Sequence, residues 1–215
     1  MQTPLRMLAG VLVMVSGLAA AQDLADIALP APKTEGGKPL LQVLKERKTT
    51  REYSTQTLSP QQLSDLLWAA HGINRADGKR TAPSAKDWQE IEIYVLTPEG
   101  AWLHDVKANC LKAVAKGDFR KLTGKQDFVA IVPLDLVYVA DTTKMKKSTP
   151  EEQAFYAATD TGFVSQNVYL FCTSEGLGTV VRMPNDKPAL AAALKLPDTA
   201  KVVLAQTVGW PKKSN

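Results

Sequence analysis

The chain has 215 residues, enough for one domain with a full core. Its 45% hydrophobic and 22% charged residues exclude a disordered chain. A net charge of +4, with no arginine-rich run, gives no argument for nucleic acid, and two histidines and two cysteines without a CxxC are too few for a metal cluster.

Residues 1–21 differ from the rest. Arg6 precedes an apolar run over 7–18, and Ala19-Ala20-Ala21 stands before Gln22, the pattern of a secretory signal peptide. The run is shorter than the roughly 20 residues needed to span a bilayer. The expectation is cleavage near Ala21, export to the periplasm or beyond, and no stable membrane anchor. Residues 22–37, rich in Pro, Ala and Gly, read as an extended arm, and residues 38–215 as one domain.

Apolar Leu40, Leu41, Val43 and Leu44 suit a short amphipathic helix. Ser59, Pro60 and Gln62 predict a capping box opening a second helix, with Leu63, Leu66, Leu67 and Ala70 on its apolar face and Gly72 at its end. His71, beside Gly72, reads as a cap rather than a catalytic group. Residues 91–97 alternate as a strand, Pro98-Glu99-Gly100 turns, and residues 101–105 return. Residues 106–116 read as helix and 134–140 as a buried strand. Thr149-Pro150-Glu151-Glu152 opens a long helix that Gly176 stops. Its small residues Ala157, Ala158, Thr161, Gly162 and Ser165 fit either a tight core or a crossing with a symmetry mate. Residues 184–196 give a short helix and 201–210 a last strand. The order predicts an α+β sandwich. Cys110 and Cys172, on separate predicted helices, read as buried thiols rather than a pair.

No GxGxxG after a strand, P-loop or GxSxG occurs. Three features bear on chemistry. In Arg47-Lys48-Thr49-Thr50-Arg51, an extended chain places Arg47, Thr49 and Arg51 on one side, a donor set for an anion and a polyol. Pro83-Ser84-Ala85 is a small-residue turn open to a flat ligand, and Lys212 and Lys213 make the C-terminus cationic.

In this order the segments resemble the nitroreductase family of flavoproteins, and within it the branch that includes thiazoline/oxazoline dehydrogenases. The resemblance covers about residues 41–213. Arg47-Lys48-Thr49-Thr50-Arg51-Glu52-Tyr53 is similar to the family's opening R-x-S-x-R/K-x-F/Y. Arg80-Thr81-Ala82-Pro83-Ser84-Ala85, Gln166-Asn167-Val168-Tyr169-Leu170, Gly176-Leu177-Gly178-Thr179 and Val208-Gly209-Trp210-Pro211-Lys212 follow in register with it.

The resemblance implies a central, mostly antiparallel sheet flanked by helices, with a long central dimer helix. It implies an FMN-dependent oxidoreductase that passes hydride or electrons through flavin N5 to or from a small organic molecule. It also implies a homodimer with the flavin shared between subunits. Arg47 and Lys48, with Lys212 or Lys213, are then expected at the phosphate, and Thr49 and Arg51 at the ribityl chain and pyrimidine edge. Pro83, Ser84 and Ala85 are expected on the ring from the other subunit, and Val181, Arg182 and Met183 beside N5. Asn167 and Gln126 are weaker candidates, and no catalytic residue is assigned. After Ala85 relatives keep a Gly and later Tyr-Pro, where this chain has Lys86-Asp87-Trp88-Gln89-Glu90. That departure leaves open a flavin-binding module without turnover.

Overall fold

The computed structural model describes residues 24–213, so the expected signal peptide lies outside the described residues. In chain order the elements are β1 (Ile27–Ala28), α1 (Leu40–Glu46), α2 (Pro60–His71), β2 (Ile91–Leu96), β3 (Gly100–Asp105), β4 (Cys110–Lys116), β5 (Leu134–Asp141), α3 (Pro150–Glu175), β6 (Gly178–Arg182), α4 (Lys187–Ala193) and β7 (Ala200–Gly209). The strands form one sheet in the order β1-β4-β3-β2-β5-β7-β6, antiparallel at every pairing.

Both predicted capping boxes form. The Ser59 side chain accepts the Gln62 N–H, and Gln62 Oε1 accepts the Ser59 N–H at 3.0 Å. Thr149 and Glu152 do the same at the start of α3. Each box satisfies N–H groups that a helix start otherwise leaves unpaired. Gly176, left-handed at φ 74°, closes α3 as expected.

Period-2 alternation builds the two faces of the sheet. Ile91, Ile93 and Val95, with Leu134, Leu136 and Tyr138, face Leu66, Leu67, Val164, Val168 and Cys172 of α2 and α3. Tyr94 and Leu96, with Val137 and Val139, face Leu190 and Leu194 at α4. This is the expected α+β sandwich, with α3 running through it.

Four local expectations are corrected. Residues 106–116 are not helical: Asp105 Oδ1 accepts the N–H groups of Lys107 and Ala108, Asn109 takes φ 46°, and the chain turns back as β4 against β3. Cys110 is therefore on a strand, and both thiols are free. Residues 178–182, where the family resemblance implies a loop, form the edge strand β6. His71 does not cap α2; its ring is buried against His104.

One charged contact crosses three strands. Asp135 of β5 is fully buried, and its Oδ1 accepts Nη2 of Arg182 of β6 at 2.8 Å. Thr207 of β7, between them, donates to Asp135 and accepts from Arg182 Nη1. Thr123 donates to Asp135 Oδ2 at 3.1 Å. Burial raises the Asp135 pKa, and Arg182 and the hydroxyls oppose that rise. Removing one partner strands the other charge. Asp135→Ala is expected to cost about 3–5 kcal/mol, measured by chemical denaturation, with Asp135→Leu plus Arg182→Met recovering most of the loss. A cost below about 1 kcal/mol would show that the pair does not hold these strands.

Candidate functional site

The backbone leaves α1 at Arg47 and runs extended beside two other segments. The Thr50 N–H donates to Thr179 O at 3.1 Å, tying it to β6. The Ser54 N–H donates to Trp210 O at 2.9 Å and the Lys212 N–H to Glu52 O at 3.0 Å, tying it to the end of β7. A Cβ on Gly178 would meet Thr50 Cγ2 at 2.6 Å, so only glycine lets β6 approach this closely.

Arg47, Lys48, Thr49 and Arg51 are thus brought beside Lys212, with Lys213 next along the chain. None of these five cations forms an ion pair among the described residues. A set of uncompensated cations on adjacent backbones fits a phosphate.

Sequence reasoning gave Tyr169 no role of its own, yet it joins the pieces. The Arg47 guanidinium carbon lies 5.3 Å from its ring centroid, and Thr49 Oγ1 lies 3.4 Å from its hydroxyl. Arg47 and Thr49 therefore share a side, as the alternation predicts. The same hydroxyl accepts the Val181 N–H at 3.0 Å. Past Val181, the Arg182 guanidinium is committed to Asp135, Thr123 and Thr207, while Met183 is exposed. Asn167 donates to Ala70 O at 3.3 Å, and Gln126 is exposed.

Pro83, Ser84 and Ala85 sit elsewhere. The Ala85 N–H donates to Asp160 Oδ2 at 2.8 Å, and the Ser84 hydroxyl donates to Glu90 Oε2 at 3.2 Å while accepting the Gln89 N–H at 2.8 Å. Asp160 and Tyr169 are nine residues apart on α3, roughly 13 Å along the axis and two and a half turns around it. The 83–85 and 47–51 segments therefore lie on opposite sides of this helix and do not meet within one chain. Lys86, at φ 51°, takes the left-handed conformation that glycine adopts most easily.

Glu90 is fully buried beneath this loop, and burial together with the nearby Asp160 raises its pKa to about 7. The Glu90 carboxyl thus titrates near neutral pH.

The family model described as the nitroreductase family matches residues 44–210. The chain belongs to the nitroreductase family. Its members are flavin-dependent oxidoreductases. A candidate nitroreductase of Methanocaldococcus jannaschii is 33% identical over 148 residues, 64% of this chain and 75% of that protein. The crystal structure of a candidate nitroreductase from Ralstonia eutropha JMP134 superposes with a TM-score of 0.84 at 40% identity, covering 91% of this chain and 94% of that one. The NADPH:FMN oxidoreductase of Vibrio harveyi, complexed with NAD+, shares the fold at a TM-score of 0.60 and 19% identity, over 81% of this chain and 69% of that one.

The expectation of an exported, periplasmic protein is corrected. It rested only on residues 1–21, which lie outside the described residues, and the match to the Ralstonia nitroreductase lends export no support. An apolar N-terminal composition does not by itself fix a compartment.

The Glu90 proton gives a pH dependence. Its folded pKa, about 7, is above the ordinary glutamate value of about 4.3, so its stabilisation is complete below about pH 4 and is lost as pH rises through about 7. Glu90→Gln, which cannot ionise, is expected to remove this fall from a plot of Tm against pH. The difference between the two proteins isolates Glu90 from His71 and His104, whose lowered pKa values act oppositely below about pH 6.5. Identical slopes would show that Glu90 is not protonated in the fold.

Proposed function

We propose that the chain is an FMN-dependent oxidoreductase of a small organic molecule, working as a homodimer with each flavin site shared between subunits. The observation that carries this reading is the convergence of Arg47, Lys48, Arg51, Lys212 and Lys213 without acidic partners. In it, Arg47 and Lys48 hold the phosphate with help from Lys212 or Lys213, and Thr49 and Arg51 reach the ribityl chain and pyrimidine edge. Pro83, Ser84 and Ala85 of the partner subunit cover the ring. Val181, Arg182 and Met183 wall its reactive edge, where Arg182 contributes backbone because its guanidinium is engaged. FMN, when bound, supplies the two-electron chemistry. The protein binds it, orients it and keeps positive charge beside it.

The separation of the two half-sites by α3 supports the shared arrangement. So do the exposed apolar side chains Leu41, at 80%, and Phe155, at 64%, which a second subunit could cover. At micromolar concentration, sedimentation is expected to give a dimer; a monomer would contradict the shared site. Purified protein is expected to be yellow, and Arg47→Ala to weaken FMN binding about ten- to a hundredfold in a flavin-fluorescence titration. Colourless protein that takes up no added FMN would overturn the reading.

One observation favours a second reading, a flavin-binding module without turnover. Lys86 Nζ lies 4.7 Å from the Trp88 ring centroid and that ring packs edge-on against Tyr156, which puts bulk directly after the 83–85 turn. Bleaching of the yellow protein by a reductant, then reoxidation by a nitroaromatic or a quinone, distinguishes the enzyme.

A further inference from the structure

A cavity of about 510 Å³ lies between the first turns of α3 and the start of β7. Both walls explain it. Ala154, Ala157 and Ala158 are spaced by three and four residues from the first, so they share one side of α3. Val164, Val168 and Cys172 continue that side and fill the space over the sheet, where the alanines leave it open. Opposite, β7 carries a bulge. Leu204 pairs with Tyr138 and Val202 with Val139, so Val203 has no partner on β5. A bulge breaks the alternation of a strand, and the neighbours Val203 and Leu204 both pack toward the helix side. Two consecutive apolar side chains therefore face the space that three alanines vacate.

The charges around this space are of one sign. Lys187, at the start of α4, and Lys201, on β7, line it, and no carboxylate does. Neither lysine forms an ion pair among the described residues. Asp186, next to Lys187, instead accepts the Ala189 N–H at 2.9 Å as the cap of α4. The exposed Phe155, which a second subunit could cover, is not part of the lining. Met183 is, and it is the one residue that the cavity shares with the proposed flavin site.

We propose that this cavity binds an amphipathic carboxylate, an apolar tail bearing one negative head. The tail lies against the alanines of α3 and Val203 and Leu204 of β7, and the Lys187 and Lys201 ammonium groups are the source of counter-charge for the head. Apolar walls gain by covering a tail, and ammonium groups without counter-ions gain by meeting a carboxylate. The volume falls among those of sites that enclose small organic ligands, roughly 300–1,000 Å³. The inference goes beyond the flavin reading and holds whether or not FMN binds.

The test is calorimetric titration of the purified full chain with octanoate and, separately, with octylammonium, which has the same tail and the opposite charge. Saturable binding of octanoate is expected, at least about tenfold tighter than octylammonium, with Lys187→Gln plus Lys201→Gln reducing that preference to less than about threefold. Hexanoate is expected to bind more weakly than octanoate, by about two- to fourfold for each methylene lost. Ala157→Phe, which puts a ring into the cavity, is expected to weaken octanoate binding at least about tenfold. Non-saturating uptake, a preference kept in the double lysine variant, or unchanged affinity in Ala157→Phe overturns the proposal. Loss of octanoate binding on adding excess FMN also overturns it, because the ligand then occupies the flavin site. Should Ala157→Phe fail to fold, the chain-length series decides, and equal affinity for hexanoate and octanoate overturns the proposal.

Discussion

A buried carboxylate sets the constraint on which the site end of the sheet depends. The Asp135 side chain in β5 is fully buried, and taking a charge out of water costs several kcal/mol unless an opposite charge comes with it. The opposite charge is Arg182, and it stands on β6, the far edge strand, with β7 between. Satisfying Asp135 therefore helps hold the edge strand on the sheet, in the register of its ladder with β7. The first residues of that strand carry the Thr179 carbonyl that pairs with Thr50. The position of the cationic segment is thus set by an ion pair that none of its own charges joins.

Helix α3 acts as the ruler of the molecule. At one point along it, Asp160 holds the backbone of Ala85. Two and a half turns on, Tyr169 holds Thr49 and Val181 from the opposite side. A helix is stiff over this length, so the 83–85 and 47–51 segments keep a fixed separation and a fixed opposition. Carboxyl chemistry at the Asp160 end and phenol chemistry at the Tyr169 end are likewise kept from mixing.

Much of this was legible locally. Ser59 with Gln62 and Thr149 with Glu152 announce helix starts because the boxes use only residues three apart. The strands β2, β5 and β7 are legible because β-branched runs buried on both faces have few other homes. The Arg47, Thr49 and Arg51 alternation survives because the segment is extended, and Arg47 and Thr49 do meet one tyrosine. Strand β4 was not legible, since its alanines and lysines favour helix and only pairing with β3 and β1 overrides them. Asp105 followed by Asn109 was the usable turn signal. Tyr169, the His71–His104 pair and the inward turn of Arg182 depend on contacts between residues distant in sequence, and no local pattern encodes them.

The pairing of Tyr53 with Pro211 joins segments far apart in the chain, one ahead of α2 and one after β7. Bringing such distant residues together carries the entropy of closing nearly the whole chain as a loop, so this contact is favourable only after the intervening sheet has formed. In chain order the strand that aligns Lys212 with Glu52 comes after every other strand of the described sheet. The cations at 47–51 precede it, so the cationic cradle they form with Lys212 is completed only when that strand docks. A chain truncated shortly before Trp210 would retain α2, α3 and most of the sheet's sequence and still lack a completed cradle.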